Sequence, residues 1–136
     1  MHTKLTDTFK YHTLFIILIL GLLSSCKNDF DDISNSPIIG SWVNVSYDNN
    51  LITLEKSNNL KSNDYGITFK GNGSLVERKN SGWCGTPPVS YSDFDGAWRI
   101  KGSLIQISVG YWGGQTEYKW KIVSIDNKKL VIEAHY

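Results

Sequence analysis

The sequence predicts an all-β domain, a small up-and-down antiparallel meander closed into a barrel of seven or eight strands. From Gly40 onward, apolar residues recur with a period near two, which is the spacing of a half-buried strand, and no stretch has the period of a helix. Three short segments between the alternating runs have the residues that tight hairpins need: Gly71-Asn72-Gly73, Gly102-Ser103 and Asp126-Asn127-Lys128. Successive hairpins suit a closed meander better than a Greek-key sandwich.

The strands can be placed in chain order from this alternation. The first covers Gly40 to Tyr47, and a less regular run at Leu51 to Glu55 decides whether the barrel has seven strands or eight. Later strands carry large apolar side chains at every second position, namely Ile67 and Phe69, Trp98 and Ile100, Tyr118, Trp120 and Ile122, and Leu130, Ile132 and Ala134. Because Trp98 and Trp120 belong to such sets, we expect both rings inside the barrel.

A leader precedes the domain. Leu14 to Leu23 is an unbroken apolar run that follows Lys4 and Lys10, and it is too short to cross roughly 30 Å of hydrocarbon as a stable helix. Residues 1–25 are therefore predicted to be a cleaved signal peptide. Leu23-Ser24-Ser25-Cys26 resembles the lipobox of bacterial lipoproteins, which implies cleavage just before Cys26 and a thioether-linked diacylglycerol on its thiol. The alternative is an uncleaved anchor followed by an ordinary thiol.

The segment after the lipidated cysteine is polar and acidic, with no apolar periodicity. Residues 26–36 are expected to be a flexible, lipidated tether that spaces the domain from the bilayer. Lys27, Asp29, Asp31 and Asp32 also resemble the signal that sends Bacteroidetes lipoproteins to the cell surface. We expect a lipid anchor in the outer membrane, and both the periplasmic face and the cell surface remain open.

Composition limits the partners of the mature chain. Without residues 1–25, the basic and acidic side chains number twelve each, so no basic surface is left for nucleic acid or anionic lipid, and membrane attachment must come from the lipid. Residues 37–136 suffice for one small domain. Lipidation would consume the thiol of Cys26 and leave Cys84 as a single, half-buried loop thiol.

Several segments resemble a known family. Ile39-Gly40-Ser41-Trp42 is similar to the G-x-W signature that opens the first strand of lipocalins. The segments ITFKGNGSLVE from Ile67, GAWRIKGSLIQI from Gly96 and YKWKIVSIDNKKLVIE from Tyr118 resemble the lipocalin-like domains of Bacteroidetes lipoproteins. The resemblance implies that Trp42 closes one end of the barrel and that the other end is open to a small ligand.

The long connections of the predicted meander fall at one end of the barrel. They precede Tyr65 and cover Asn80 to Asp95 and Gly110 to Gln115. Seven strands would place them opposite Trp42, and eight strands would place them beside it. The aromatic residues of these connections are candidates for ligand contact, namely Trp83, Tyr91, Tyr111 and Trp112. Alternatively, these rings fold inward and close the mouth of the barrel.

Catalysis has little support in the sequence. His135 is the one imidazole of the mature chain, which excludes a multi-histidine metal site. Asp93-Phe94-Asp95-Gly96 has two carboxylates of a calcium loop but lacks the later ligands, so a turn is expected there. We therefore expect no enzyme, no cofactor and no metal.

The sequence as a whole favours a membrane-anchored lipoprotein whose lipocalin-like barrel binds a small apolar ligand or a glycan through its long-loop end. The alternative is an interaction or inhibitor-type protein, with a packed barrel and a protein partner but no internal ligand.

Overall fold

The computed structural model describes residues 30–82 and 85–135. Within these ranges the chain contains no helix and forms eight antiparallel strands that close into a barrel, which confirms the predicted fold class. The strands are β1 (Gly40–Asp48), β2 (Leu51–Ser57), β3 (Gly66–Phe69), β4 (Ser74–Asn80), β5 (Tyr91–Lys101), β6 (Leu104–Tyr111), β7 (Gly114–Ile125) and β8 (Lys129–His135). No helix long and apolar enough to cross a membrane occurs in this part of the chain. The predicted leader, Cys26, Trp83 and Cys84 lie outside the described residues.

The order of the strands departs from a strictly sequential meander at one place. Around the barrel the order is β1-β2-β8-β7-β6-β5-β4-β3, so β1 lies between β2 and β3. Because Ser41 pairs with both Ser57 of β2 and Thr68 of β3, and both pairings are antiparallel, β2 and β3 run in the same direction. The connection between them, residues 58–65, must therefore cross β1.

This crossover covers the outer side of β1. Val43 alternates with the inward-facing Trp42, yet only 3% of its surface is exposed. A Cβ atom on Gly66 would lie 2.8 Å from Leu60 Cδ2 and 3.5 Å from Val43 Cγ1, so Leu60 and Val43 meet at this glycine. Arg78 Nη1 donates hydrogen bonds of 3.2 Å to the carbonyl oxygens of Leu60 and Lys61 and fixes the crossover from the side of β4.

One end of the barrel, here called the closed end, carries residues 30–39 and the three predicted hairpin turns. Asp31 N donates to Ile100 O at 3.0 Å, and Asp31 Oδ2 accepts from Gly102 N at 2.7 Å. The described part of the predicted tether, residues 30–36, is thus attached to the barrel in the structure. Trp42 is fully buried at this end, and its Nε1 donates to Ile38 O at 2.6 Å.

The opposite end, here called the open end, carries the Asn49-Asn50 turn, the connection between β4 and β5, and the Trp112-Gly113 turn. Eight sequential strands would have put the long connections beside Trp42. The crossover shifts every later connection to the other end, so these connections lie opposite Trp42 in the structure. The expected long loop at Gly110 to Gln115 is instead a tight hairpin, in which Tyr111 pairs with Gly114.

The β4–β5 connection is also shorter than expected. β5 begins at Tyr91, and Asp93 pairs with Arg78 of β4. The Asp93–Gly96 segment is therefore strand, and the expected turn was wrong, because ladder pairing with β4 satisfies its backbone.

Aromatic and aliphatic side chains fill the half of the barrel next to the closed end. Phe69 packs edge-on against Trp98 and Trp120, with ring centroids 5.2 and 6.3 Å apart. Trp98 and Trp120 are both buried inside the barrel, as predicted. This packing forms the floor beneath the remaining interior.

Candidate functional site

The interior of the barrel remains open above this floor. A cavity of about 580 Å³ extends toward the open end, and its size falls within the range typical of small-molecule sites. Asn44, Tyr65, Glu77 and Lys79 line it from strands β1 and β4 and from the residue that leads into β3. Ile52, Thr116, Tyr118 and Trp120 line it from β2 and β7, with Tyr47 and Glu117 also part of the wall.

A buried carboxylate lies at the centre of the polar side. Glu77 is 3% exposed, and its Oε1 accepts hydrogen bonds of 2.7 Å from the hydroxyls of Tyr65 and Tyr118. Its Oε2 accepts one of 2.5 Å from Lys79 Nζ. A carboxylate is retained in such a place only when its oxygens are hydrogen-bonded and its charge is paired, and both conditions hold here.

The surroundings of this carboxylate shift the pKa of the neighbouring Tyr65. Burial, together with the nearby Tyr118 and Glu77, raises the pKa of Tyr65 well above its ordinary value. Tyr65 is therefore a neutral donor at physiological pH. Tyr65 is the last residue of the crossover, where its carbonyl accepts from Asn44 N at 3.1 Å, and this position brings the phenol to the cavity wall.

Lys79 connects the cavity to the rim of the barrel. Its ammonium pairs with Glu77 and lies 5.6 Å from the centroid of the Phe94 ring, which adds a cation–π contact. Lys79 and Thr116 also line a shallower groove of about 460 Å³ that reaches Trp112 and Tyr111. The cavity and the groove are thus adjacent at the open end.

One polar group of the cavity has no partner. Asn44 Oδ1 is buried, and no hydrogen-bond donor among the described residues reaches it. Leaving a buried carbonyl oxygen unpaired costs about 1 to 3 kcal/mol. Such an atom is a natural acceptor for a donor group on a ligand.

The predicted contact residues occupy different places. Trp112 is 56% exposed at the tip of the β6–β7 hairpin, and its ring meets Tyr111 edge-on at 5.7 Å. These two rings face the groove beside the cavity rather than filling the mouth. Tyr91 is half-buried at the start of β5 and pairs with Asn80. Trp83 lies outside the described residues.

Sequence reasoning missed the polar group within the cavity. The signal that could have revealed it is the alternation of β4, in which Leu75 and Glu77 share the inward face while Val76 faces out. A glutamate whose side chain points inward from a strand needs buried hydrogen-bond partners. Its partner Tyr118 belongs to an alternating strand set and Tyr65 follows a long connection, so neither pattern by itself indicated the carboxylate.

The remaining candidates for chemistry have simple structural roles. Asp93 forms a paired contact with Arg78, with Nε–Oδ1 and Nη2–Oδ2 distances of 2.6 and 2.7 Å, and the Arg78 guanidinium lowers the pKa of this carboxyl. His135 is exposed and lies 3.7 Å from Glu133. Within residues 30–82 and 85–135, no group of three or more His, Cys, Asp or Glu side chains could hold a metal ion.

Comparison with known proteins agrees with this architecture. Neither the curated proteins nor the solved structures contain a significant match to the chain. The family model described as the lipocalin-like domain matches residues 38–132, a span that runs from the buried Ile38 at the closed end through most of β8. Since this match covers well over half of the sequence, the chain belongs to the lipocalin-like domain family.

Proposed function

We propose that this protein is a membrane-anchored, non-enzymatic lipoprotein whose lipocalin-like barrel binds a small ligand in the cavity at its open end. The observation that carries the proposal is the cavity of about 580 Å³ that opens away from the packed floor. A barrel that served only as a scaffold for a protein partner would be expected to fill its interior to native density. The cavity therefore favours ligand binding over the alternative of a packed interaction protein.

The surroundings of the cavity support the same proposal. Tyr47, Tyr111 and Trp112 are exposed around the open end, where they offer apolar surface to an entering molecule. Trp42 and residues 30–39 block the opposite end, so entry is through the open end. We assign Tyr111 and Trp112 to the rim and the Glu77 group to the interior of one binding site.

The membrane anchor rests on the sequence. Cys26 would carry the lipid, and the protein would lie on the outer membrane, facing either the periplasm or the outside. Radiolabelled palmitate should enter the protein in a bacterial host and be lost in Cys26→Ser. An unlabelled wild type would remove the anchor from the proposal, and protease treatment of intact cells would decide between the two faces.

Ligand binding can be tested with prodan, an uncharged naphthalene dye whose emission shifts in apolar surroundings. The wild-type barrel should bind prodan, and Thr116→Phe, which places a ring in the cavity wall, should weaken binding about tenfold or more. Ser124→Phe is the matched control, because Ser124 is exposed on the same strand and lines neither the cavity nor the groove. Absence of binding by the wild type, or equal binding by both variants, would contradict an internal site.

A further inference from the structure

The cavity has two chemically different walls. Asn44, Glu77 and Lys79 carry polar groups on the side of β1 and β4, while Ile52 and Trp120 present apolar surface from β2 and β7. In the barrel order, β4 and β7 are separated by β5 and β6, so Glu77 and Lys79 lie across the lumen from Trp120, whereas Asn44 lies on β1, which adjoins β2. A ligand that fills this space must itself have a polar edge and an apolar face.

The charges of the cavity are already balanced. Glu77 and Lys79 pair at 2.5 Å with side chains that are only 4% and 19% exposed. Glu117 also lines the cavity. Its side chain is exposed, however, because it faces outward between the inward-facing Thr116 and Tyr118. An anionic or cationic head group entering beside the Glu77–Lys79 pair would lose its hydration without gaining an unpaired counter-charge, which is costly.

The hydrogen-bonding groups of the cavity that remain unused match a hydroxyl group on a ligand. Asn44 Oδ1 lacks a donor among the described residues, and Lys79 Nζ has three N–H groups, of which the structure assigns one to Glu77. A hydroxyl group can donate to the first and accept from the second, whereas a carboxylate cannot donate and an ammonium cannot accept. Neutral hydroxyls therefore match both gaps.

The apolar wall fits the other side of such a ligand. Tyr118 and Trp120 stand next to each other along β7 with ring centroids 5.7 Å apart. Trp120 is only 2% exposed, so the half-buried ring of Tyr118 presents the aromatic surface on which the C–H face of a sugar ring can pack while its hydroxyls point to the polar groups. The exposed Trp112 at the rim offers a further ring for a longer saccharide or an attached chain.

From these walls, charges and gaps we infer that the cavity takes a neutral, hydroxyl-bearing ligand of the sugar class, with Asn44 accepting a hydrogen bond from one of its hydroxyls. This inference rests on the proposed function, since it specifies the ligand of the same cavity.

The test compares three amphiphiles that share an eight-carbon tail and differ in the head: octyl glucoside, octanoate and octyltrimethylammonium. Each is added below its micelle concentration, and displacement of prodan is measured. The glucoside should displace the dye at a concentration lower by about tenfold or more than either charged compound. If octanoate or the ammonium compound displaces prodan at the lower concentration, the inference is overturned while ligand binding stands.

A variant at Asn44 makes the test specific. In Asn44→Leu the affinity for octyl glucoside should fall about tenfold, the effect of one hydrogen bond, while prodan, which has no donor, should bind unchanged and so report an intact cavity. An unchanged glucoside affinity would overturn the role of Asn44. If prodan fails to bind even the wild type, the proposed function itself fails, which separates the two results.

Discussion

Tyr118 Oη donates a 2.7 Å hydrogen bond to Glu77 Oε1 across the lumen of the barrel. The two residues lie on β7 and β4, which are separated by β5 and β6 in the sheet. A contact of this kind ties opposite walls together just above the aromatic floor. It links the stability of the barrel to the shape of the cavity, because the same atoms serve both.

Removing this donor should measurably destabilise the fold. Tyr118→Phe keeps the ring but deletes one hydrogen bond to a buried carboxylate, so we expect the free energy of unfolding to fall by about 2 kcal/mol. Urea unfolding followed by tryptophan fluorescence gives the value. Tyr47→Phe is the control, because Tyr47 is 59% exposed and its hydroxyl should contribute little. Equal stability of Tyr118→Phe and the wild type would contradict the proposed importance of the contact.

Tyr65 should make stability depend on alkaline pH. Because the pKa of Tyr65 is raised in the folded state, the unfolded chain loses this proton first as the pH rises through about 10, and the folded state is then disfavoured. The contribution of Tyr65 is fully present below that pH and is lost above it, by up to about 1.4 kcal/mol per pH unit.

The comparison that isolates this effect is Tyr65→Phe, which should be less stable than the wild type at neutral pH but lose less stability between about pH 10 and 11. Unfolding midpoints in urea across this range provide the measurement. Parallel pH curves for the two proteins would show that the Tyr65 phenol is not buried as described.

Local chemistry explains why much of the fold could be predicted. The alternation of Trp120 with its polar neighbours and the turn at Gly71-Asn72-Gly73 depend on residues close in sequence, and both occur where expected. The place of β1 between β2 and β3 depends on pairing between distant segments, which no local pattern encodes. The position of the long connections relative to Trp42 follows from that pairing, so the local sequence pattern could not predict it.

The candidate site was harder to predict for a related reason. Tyr65 and Tyr118 are 12 and 41 residues from Glu77 along the chain, and only closure of the barrel brings them to one carboxylate. The sequence indicated a site only through the aromatic residues of the connections, and of these Tyr111 and Trp112 lie at the rim. The interior part of the site depends on the closed barrel, which places the unpaired strands β4 and β7 across the lumen from each other.

The crossover should depend on Arg78. Its guanidinium holds Asp93 and the carbonyls of Leu60 and Lys61, so Arg78→Met should release residues 58–65 from the barrel surface. We expect trypsin to cleave after the exposed Lys61 faster in this variant, by about tenfold or more, since local opening governs cleavage of folded chains. Lys119→Met, an exposed change on β7, serves as the control. Unchanged cleavage at Lys61 would mean that other contacts hold the crossover.

Gly96 should tolerate no side chain, because β5 passes very close to β6 there. A Cβ atom at this position would lie 2.5 Å from Ser108 O and 2.9 Å from Val109 Cα, both of them backbone atoms that cannot rotate away. Gly96→Ala should therefore lower the free energy of unfolding by about 1 to 3 kcal/mol. Gly85→Ala, where a Cβ would meet nothing within 4 Å, should be nearly neutral in the same urea titration. A neutral Gly96→Ala would contradict the register of β5 and β6.

The attachment of residues 30–39 predicts how the anchored barrel faces its membrane. Phe30 is four residues after Cys26, and four steps of roughly 3.5 Å along the chain span no more than about 14 Å. Phe30 lies against Arg99, and Asp31 is bound to the closed end, so a lipid on Cys26 would hold the closed end near the bilayer. The eight residues of β6 put the open end roughly 20 Å farther away, so the cavity would open toward the aqueous side and take its ligand from there.

A dye at either end can test this orientation in lipidated protein on vesicles that carry a nitroxide on the lipid head group. In a Cys84→Ser background, a label on Ser103→Cys at the closed end should be quenched several times more strongly than one on Gln115→Cys at the open end, because nitroxide quenching acts only over short distances. The same labelled proteins with Cys26→Ser should show no quenching, since nothing then holds them at the surface. Stronger quenching at residue 115 would reverse the orientation and point to a ligand drawn from the bilayer itself.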